Sequence, residues 1–297
     1  MYSDAHPRDF PACSGCSLCR LVCPMWRAHR DPRFSAEGLA KARQNGATAA
    51  ALADAAYACC LCGACDPVCP ENIDLTGMIL DLRREAPRAA SAVASPAPDA
   101  PPAGALLLPG PELRANPALL ARVETLLGFA CTEDDGVDIA LALETGGEID
   151  PARRRKFLDG LAGRTLVVGD GLLLRTLRRW LPGARLQSLG EALSGLVAIR
   201  RRLASADFYV IEPRAYHADY ERLVGHYDRL RAETGCALNL DLQRIAIPAS
   251  GEAEVRWMLQ GRRPARIFVE SLADRAVFMR ACDIPVLHIA ELAEAGS

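Results

Sequence analysis

The chain has 297 residues, 50% hydrophobic and 24% charged, a composition that is typical of globular domains and excludes a disordered or fibrous protein. Its 35 Lys and Arg against 37 Asp and Glu give a net charge of −2, so the strong basic field of a nucleic-acid-binding or anionic-membrane-binding protein is excluded. No stretch approaches the roughly 18 apolar residues of a membrane span, and the polar residues 1–9 do not resemble a signal peptide. We therefore expect a soluble, cytoplasmic protein of about two domains.

The 12 cysteines are the most informative feature, because most of them lie in the first quarter of the chain. Clustered cysteines in a larger intracellular chain bind metal more often than they form disulfides, which belong to small secreted domains. Two runs share one spacing, C-x2-C-x2-C-x3-C-P. The first run comprises Cys13, Cys16, Cys19, Cys23 and Pro24, and the second comprises Cys59, Cys62, Cys65, Cys69 and Pro70.

This spacing matches that of bacterial ferredoxins, which hold [4Fe–4S] clusters. Two-residue gaps let the chain curl around one cubane so that three thiolates reach three irons, while the fourth cysteine points away and binds the neighbouring cubane. The proline that follows fixes φ and turns the chain out of the site. The predicted ligands are therefore crossed between the runs: Cys13, Cys16, Cys19 and Cys69 bind the first cluster, and Cys59, Cys62, Cys65 and Cys23 bind the second.

Zinc is the alternative for paired C-x2-C motifs. It needs four ligands per ion, commonly as two pairs, and has no use for a third cysteine at the same spacing or for the trailing Cys-Pro, so we favour two [4Fe–4S] clusters. The other thiols have no ligand role in this prediction. We interpret Cys60 as a small buried residue beside the second cluster, and Cys131, Cys236 and Cys282 as structural.

Residues 1–86 are predicted to form an all-α domain that carries both cysteine runs. Ser35 to Ala58 is rich in helix-forming residues, with a break near Asn45-Gly46. Asp74 is the predicted N-cap of a further helix, which Pro87 ends. Residues 87–104 lack apolar periodicity and are rich in proline and alanine, which indicates an exposed linker.

From Ala105 onward, short apolar runs alternate with amphipathic segments, a pattern that favours parallel sheets with helices packed against them. The predicted strands are Ala105–Leu108, Thr165–Val168, Phe208–Ile211, Ile267–Val269 and Val286–Ile289. The predicted helices are Pro117–Leu127, Leu172–Leu181, Tyr216–Glu233 and Asp274–Ala281. Val168-Gly169-Asp170-Gly171 lacks the third glycine of a dinucleotide-binding fingerprint, so we interpret it as a plain strand-to-helix turn.

This region also contains an internal repeat at a spacing of about a hundred residues. Thr165–Val168 with the segment that follows it resembles Ile267–Val269 with its own, and Leu106–Pro111 resembles Phe208–Pro213. The predicted fold class is therefore α+β and multi-domain, an all-α cluster domain followed by two repeated α/β lobes. The predicted lobes are residues 105–204 and 205–297.

These motifs resemble those of two known families. Residues 9–86 are similar to the helical dicluster ferredoxin module, which occurs in the iron–sulfur subunits of succinate dehydrogenases and in heterodisulfide reductases. The remainder resembles the CCG-domain iron–sulfur oxidoreductases, which include heterodisulfide reductases and the iron–sulfur subunits of glycolate oxidase and anaerobic glycerol-3-phosphate dehydrogenase. That likeness rests on the order of the domains and on Leu107–Pro111, Ile211–Arg214 and Ile247–Gly251, which stand where the family has its cysteine motifs.

The chain departs from the CCG family at those motifs. It contains no Cys-Cys-Gly tripeptide, and Pro111 and Arg214 occupy the expected cysteine positions. The resemblance therefore implies degenerate lobes that bind no metal and serve as scaffold or docking surface. His217, His226 and His288 have no partner at ligand spacing, so we expect solvated or core histidines.

The resemblance implies an electron-transfer subunit of a multi-subunit oxidoreductase, with no catalytic residue of its own. Its clusters would relay single electrons between a flavoprotein dehydrogenase, or an electron-transferring flavoprotein, and another redox subunit or a membrane-associated quinone-reducing partner. Two alternatives stay open at this point. One is a catalytic chain similar to heterodisulfide reductase, and the other is an assembly protein whose clusters are purely structural.

Overall fold

A computed structural model of the chain describes residues 10–88, 105–242 and 244–293. Its α-helices are, in chain order, α1 (Leu18–Val22), α2 (Pro24–His29), α3 (Ala36–Gln44), α4 (Ala49–Ala58), α5 (Leu75–Glu85), α6 (Gly110–Arg114), α7 (Pro117–Leu127), α8 (Val137–Thr145), α9 (Pro151–Leu161), α10 (Gly171–Trp180), α11 (Leu189–Ser194), α12 (Val197–Arg200), α13 (Pro213–Ala218), α14 (Tyr220–Thr234), α15 (Glu252–Leu259) and α16 (Leu272–Ala281). Short 3-10 helices cover Phe10–Ala12, Pro32–Phe34 and Ile289–Glu291. The strands are β1 (Leu106–Leu108), β2 (Thr165–Val168), β3 (Arg185–Ser188), β4 (Asp207–Val210), β5 (Ala237–Leu238), β6 (Leu240–Asp241), β7 (Ile245–Ala246), β8 (Arg266–Val269) and β9 (Val286–His288).

The described residues divide into two compact units. Unit 1 comprises the described residues up to position 88 together with Asp138–Lys156, and unit 2 comprises residues 105–137 and those from Phe157 onward. Residues 138–156 therefore group with the cysteine-bearing residues, which the sequence pattern did not indicate. Apart from its first two positions, the predicted linker at 87–104 lies outside the described residues.

The described part of unit 1 contains helices joined by loops and no strand, as the sequence predicts. The helices start at local caps: the Ser35 side chain accepts from the Gly38 amide, and the Thr48 side chain accepts from the Ala51 amide. The predicted break between α3 and α4 is confirmed, because Gly46 there has a φ of 86°.

Helix α5 contributes more buried apolar side chains than any other described helix of unit 1. Its predicted N-cap is confirmed, since an Asp74 carboxylate oxygen accepts from the Gly77 amide at 2.8 Å. A larger residue at position 77 would displace this cap, because a Cβ there would lie 2.2 Å from the Asp74 carboxylate. Three helices contribute buried side chains to this core, among them Leu39 and Ala40 of α3, Leu52 and Ala56 of α4, and Met78, Ile79 and Leu82 of α5.

The C-terminal end of α8 packs against α4 and α5 within unit 1. The Tyr57 hydroxyl donates to the Thr145 carbonyl at 2.5 Å, and the Arg83 guanidinium donates to the Glu144 carbonyl at 2.6 Å. Gly146, with a φ of 73°, lies so close to α5 that a Cβ would stand 2.1 Å from the Arg83 carbonyl oxygen. This close approach explains a glycine directly after the helix.

Unit 2 contains two parallel sheets, as the alternating pattern predicts. One has the order β1-β2-β3, in which Leu107 pairs with Val167 and Val167 with Gln187. The other has the order β5-β4-β8-β9. Strands β4 and β8 are fully or largely buried and covered by helices, as parallel strands require. Strands β6 and β7 form a small antiparallel pair.

The two parallel sheets are wound in the same order. Strands β1, β2 and β3 follow one another across the first sheet as β4, β8 and β9 do across the second. An isolated parallel bridge joins Cys131 to Leu107 of β1, at the side where β5 pairs with β4 in the other sheet. The sequence repeat itself stays a prediction.

One predicted helix is wrong, because the structure has two helices in its place. The sequence predicts a single helix over Tyr216–Glu233, but the structure has α13 and α14 with a break at Asp219, whose φ is −147°. The Asp219 carboxylate pairs with Arg178 of α10 at 2.9 Å, so a tertiary ion pair accompanies the break. Among the described residues, no helix combines the length and apolarity needed to cross a membrane.

Candidate metal centres

Four of the predicted ligands line one cavity of unit 1, which we call cavity 1. They are Cys13, Cys16, Cys19 and Cys69. The cavity encloses about 310 Å³ of empty space, its solvent-facing part included. Three of these cysteines belong to the first run and the fourth to the second run, which is the crossed grouping that the spacing predicts.

The other four predicted ligands line a second cavity, which we call cavity 2. They are Cys59, Cys62 and Cys65 of the second run and Cys23 of the first. This cavity encloses about 460 Å³ of empty space, its solvent-facing part included. Cys60 also lines it. The structure thus brings each predicted ligand set together, while the bonds to a cluster stay a prediction.

Local backbone geometry explains how each run curls. The first run turns through Gly15 and Ser17, and the second through Leu61 and Gly63, all of which have positive φ. Cys23 is the N-cap of α2, where its sulfur accepts from the Trp26 amide at 3.4 Å, and the proline after it occupies the first helical position. A Cys-Pro pair therefore ends the run and starts a helix.

The second run is tied to α5 by a buried carboxylate. Asp66 accepts from the Thr76 amide at 2.9 Å and from the Thr76 hydroxyl at 2.7 Å. Both side chains are buried. This pair links the cysteine loop to α5.

The chemistry of the thiols fits a cationic iron–sulfur core. Burial raises the pKa of Cys19 and of Cys59 to about 12, and it raises the pKa of Cys65, whose neighbours Cys59, Cys19 and Cys23 act in the same direction. Thiols packed in this way become thiolates only when a cation compensates their charge, as iron does in a cluster.

The spacing of these side chains also bears on the kind of metal. Within the described ranges, no three His, Cys, Asp or Glu side chains lie close enough to hold a single metal ion. In a cubane each thiolate binds a different iron, so the four cysteines of a cluster need not lie as close together as the ligands of one ion.

The two cavities differ in the charges beside them. Glu37, which is 6% exposed, lines cavity 1 and pairs with Arg20 at 2.6 Å. The Lys41 ammonium donates to the Cys13 carbonyl at 2.7 Å. Among the described residues that line cavity 2, none is charged, but the buried Arg83 guanidinium donates to the Cys59 carbonyl at 2.6 Å.

Comparison with known proteins bears on the cysteine-bearing unit. Residues 9–73 match the family model of the 4Fe-4S dicluster domain. The match supports an iron–sulfur protein with [4Fe–4S] clusters and favours iron over zinc. It includes all eight predicted ligands but less than half of the chain. No curated protein and no solved structure matches.

The remaining cysteines and histidines lie where structural residues are expected. Cys236 is buried, while Cys131 and Cys282 are half-buried at the edges of two different apolar clusters of unit 2. His217, His226 and His288 are all buried, which agrees with core histidines. The predicted turn after β2 is confirmed, since the Asp170 side chain caps α10 by accepting from the Leu173 amide at 2.7 Å.

The structure describes both positions at which the resemblance to the CCG family leads us to expect cysteines. Pro111 is exposed in the first turn of α6. Arg214 is the second residue of α13. Its amide donates at 3.1 Å to Glu212, the residue that caps this helix.

A buried carboxyl group after β8 was missed by the sequence analysis. Glu270, only 6% exposed, accepts from the hydroxyls of Tyr209 at 2.6 Å and Tyr227 at 2.7 Å, and from the Glu212 amide at 2.9 Å. The available signal was an acidic residue directly after a buried apolar strand, a place where parallel sheets often bind ligands.

The Glu270 carboxyl group should make unit 2 less stable as the pH rises. Burial raises its pKa from 4.5 to about 7, so the folded state holds a proton that the unfolded state has released. The stabilisation is complete below pH 4.5 and is lost as the pH rises through about 7. We expect the free energy of unfolding of Glu270→Gln, relative to that of wild type, to be about 2–3 kcal/mol higher at pH 8 than at pH 5.

The measurement is hydrogen exchange of the β8 amides at increasing urea concentration. The urea midpoint at which their protection is lost is compared for both proteins at pH 5 and at pH 8. Burial lowers the pKa values of His226 and His288 to about 4, so their contribution to stability increases as the pH rises. Both proteins contain these histidines, so their contribution cancels when the two midpoints are subtracted. An equal midpoint difference at both pH values would contradict the expected titration.

Proposed function

We propose that the chain is an iron–sulfur electron-transfer subunit of a larger oxidoreductase. In this proposal it relays single electrons between a flavoprotein dehydrogenase, or an electron-transferring flavoprotein, and another redox subunit or a quinone-linked acceptor. The observation that carries the proposal is the pair of cavities, each lined by three cysteines of one run and the fourth of the other.

The two cavities are lined by adjacent residues of the same helices. Ala36 of α3 and Thr76 of α5 line cavity 2, and the neighbouring residues Glu37 and Leu75 line cavity 1. Cys16 of cavity 1 is exposed, whereas the thiols around cavity 2 are buried or half-buried. Electrons would therefore enter or leave through the first cluster and continue to the second.

Unit 2 has a scaffolding or docking role in this proposal. The equal winding order of its two sheets supports the predicted pair of repeated lobes. Pro111 and Arg214 stand at expected ligand positions, which supports lobes that bind no metal. The site of action is the cytoplasm, with any membrane association made through a partner.

The test is a redox titration of anaerobically purified protein, followed by visible absorption and electron paramagnetic resonance. We expect iron and acid-labile sulfide to reach about eight each per chain, and two one-electron reductions within the range of flavin potentials. Clusters that stay oxidised throughout this range would favour a purely structural role, and zinc in place of iron would overturn the proposal. Copurification from the native source with a flavin-containing subunit tests the partner.

A further inference from the structure

We propose that Arg83 is the buried counter-charge and positioning residue of the second cluster, and that it raises the reduction potential of this cluster. The inference rests on the proposed function, because it needs a cluster in cavity 2. It concerns a residue that the cysteine motif does not include. It also gives a role to residues 138–156, which join unit 1 from a distant part of the sequence.

Arg83 lies in the interior of unit 1, where its side chain binds main-chain carbonyl groups. It is 3% exposed. Its guanidinium donates to the Ala56 carbonyl at 3.1 Å, the Cys59 carbonyl at 2.6 Å and the Glu144 carbonyl at 2.6 Å. The Tyr57 ring lies 4.9 Å from it in a cation–π contact.

These bonds fix the start of the second cysteine run. Helix α4 ends at Ala58, so its last carbonyl groups have no partner within the helix, and Arg83 binds them. Cys59 follows at once and lines cavity 2. The planar guanidinium carries several donors in a fixed fork, so one side chain can hold the end of α4, Cys59 and the end of α8 together.

The Arg83 guanidinium also supplies a positive charge in the interior of unit 1, where electrostatic interactions are stronger than in water. A guanidinium stays protonated even when buried, and carbonyl groups bind it without neutralising its charge. At low effective dielectric, charges a few ångströms apart interact far more strongly than in water. This charge lies beside the second cluster, because the guanidinium is hydrogen-bonded at 2.6 Å to the carbonyl of Cys59, whose side chain lines cavity 2.

A cluster with four thiolates is anionic and gains one more negative charge on reduction, so a fixed cation beside it favours the reduced form. Cavity 1 has its own nearby charges, with Glu37 and Glu71 in its lining and Lys41 on the Cys13 carbonyl, whereas Arg83 binds the carbonyl of Cys59 at cavity 2. The two clusters should therefore respond differently to loss of Arg83. Only the second should become harder to reduce.

The experiment is a redox titration of the full chain as Arg83→Gln, Arg83→Lys and Arg84→Gln, read by electron paramagnetic resonance. Arg84→Gln is the matched control, because Arg84 is the next residue of α5 but is exposed and pairs with Asp81 on the surface. In Arg83→Gln we expect one of the two midpoint potentials to fall, with the ratio of reduced to oxidised cluster about tenfold lower at a fixed potential, or about 59 mV for one electron.

The midpoint potential of the other cluster should not change. The potential of the second cluster should fall less in Arg83→Lys than in Arg83→Gln, and both potentials in Arg84→Gln should equal those of wild type. Two unchanged potentials in Arg83→Gln, or an equal fall of both, would overturn the inference. If Arg83→Gln cannot hold the second cluster, Arg83→Lys decides: a retained cluster supports the role of the charge, and a lost one overturns it. Wild-type protein without clusters would instead contradict the proposed function.

Discussion

Removing the clusters from the folded protein is expected to unfold unit 1 while unit 2 stays folded. The helices of unit 1 are short, at most 11 residues in α5, and isolated helices of this length are marginal in water. Structural metal sites contribute binding free energy on the order of 10 kcal/mol, which then acts as folding free energy. Unit 2 has apolar clusters of its own around its parallel strands, so we expect it to stay folded when iron is removed.

Hydrogen exchange with mass spectrometry, before and after anaerobic iron chelation, measures this effect. Amides of α3, α4 and α5 should lose protection together, and so should those of α8, because α8 packs on Tyr57 and Arg83. Amides of β4 and β8 serve as the internal control and should keep their protection. Unchanged protection of α5 after complete iron loss would show that the helices fold without clusters.

The second expected result concerns which cysteine serves which cluster. Cys23→Ser should damage the cluster held by Cys59, Cys62 and Cys65, and Cys69→Ser should damage the cluster held by the first run. The lining of the two cavities supports this crossing, since Cys23 faces cavity 2 and Cys69 faces cavity 1. Each variant should lose up to about four irons, or keep the affected cluster only in an altered form, because a cubane needs four ligands.

Cys60→Ser is the matched control for these variants. Cys60 lines cavity 2 with the predicted ligands but lies outside their register, and we expect its replacement to leave both clusters in place. Electron paramagnetic resonance of the reduced variants distinguishes the two signals. If each of the first two variants damages the cluster of its own run, the crossed assignment is wrong, and if Cys60→Ser loses a cluster, Cys60 is a ligand.

The sequence predicts those features whose signal is local. The caps at Ser35, Thr48 and Asp74 depend only on their neighbours. Each cysteine run has its repeated spacing within eleven residues, so the three thiols of one run that line a cavity together can be grouped from the sequence, and the crossing of the fourth follows from the ferredoxin pattern. Strands β2 and β4 were found for a related reason, because a buried parallel strand is a short continuous apolar run.

Features that depend on distant contacts were missed. Arg83 stands beside Arg84 in a charged stretch, which resembles an exposed helix face, and only the packing of α4 and α8 reveals its burial. Strand β3 has a single apolar residue, Leu186, among its four positions, a signal too weak to recognise without its partner β2. The position of α8 in unit 1 has no local signal at all.

The return of residues 138–156 to unit 1 has a practical consequence for dissecting the protein. Because unit 1 is built from two separate stretches of chain, no single cut divides the polypeptide into its two units. A fragment ending before residue 105 would leave Tyr57 and Arg83 without the α8 carbonyl groups they bind. A fragment beginning at residue 105 would carry α8 without its packing partners. A protein cleaved only between residues 88 and 105 should therefore remain associated through α8, and its two pieces should separate only under denaturing conditions.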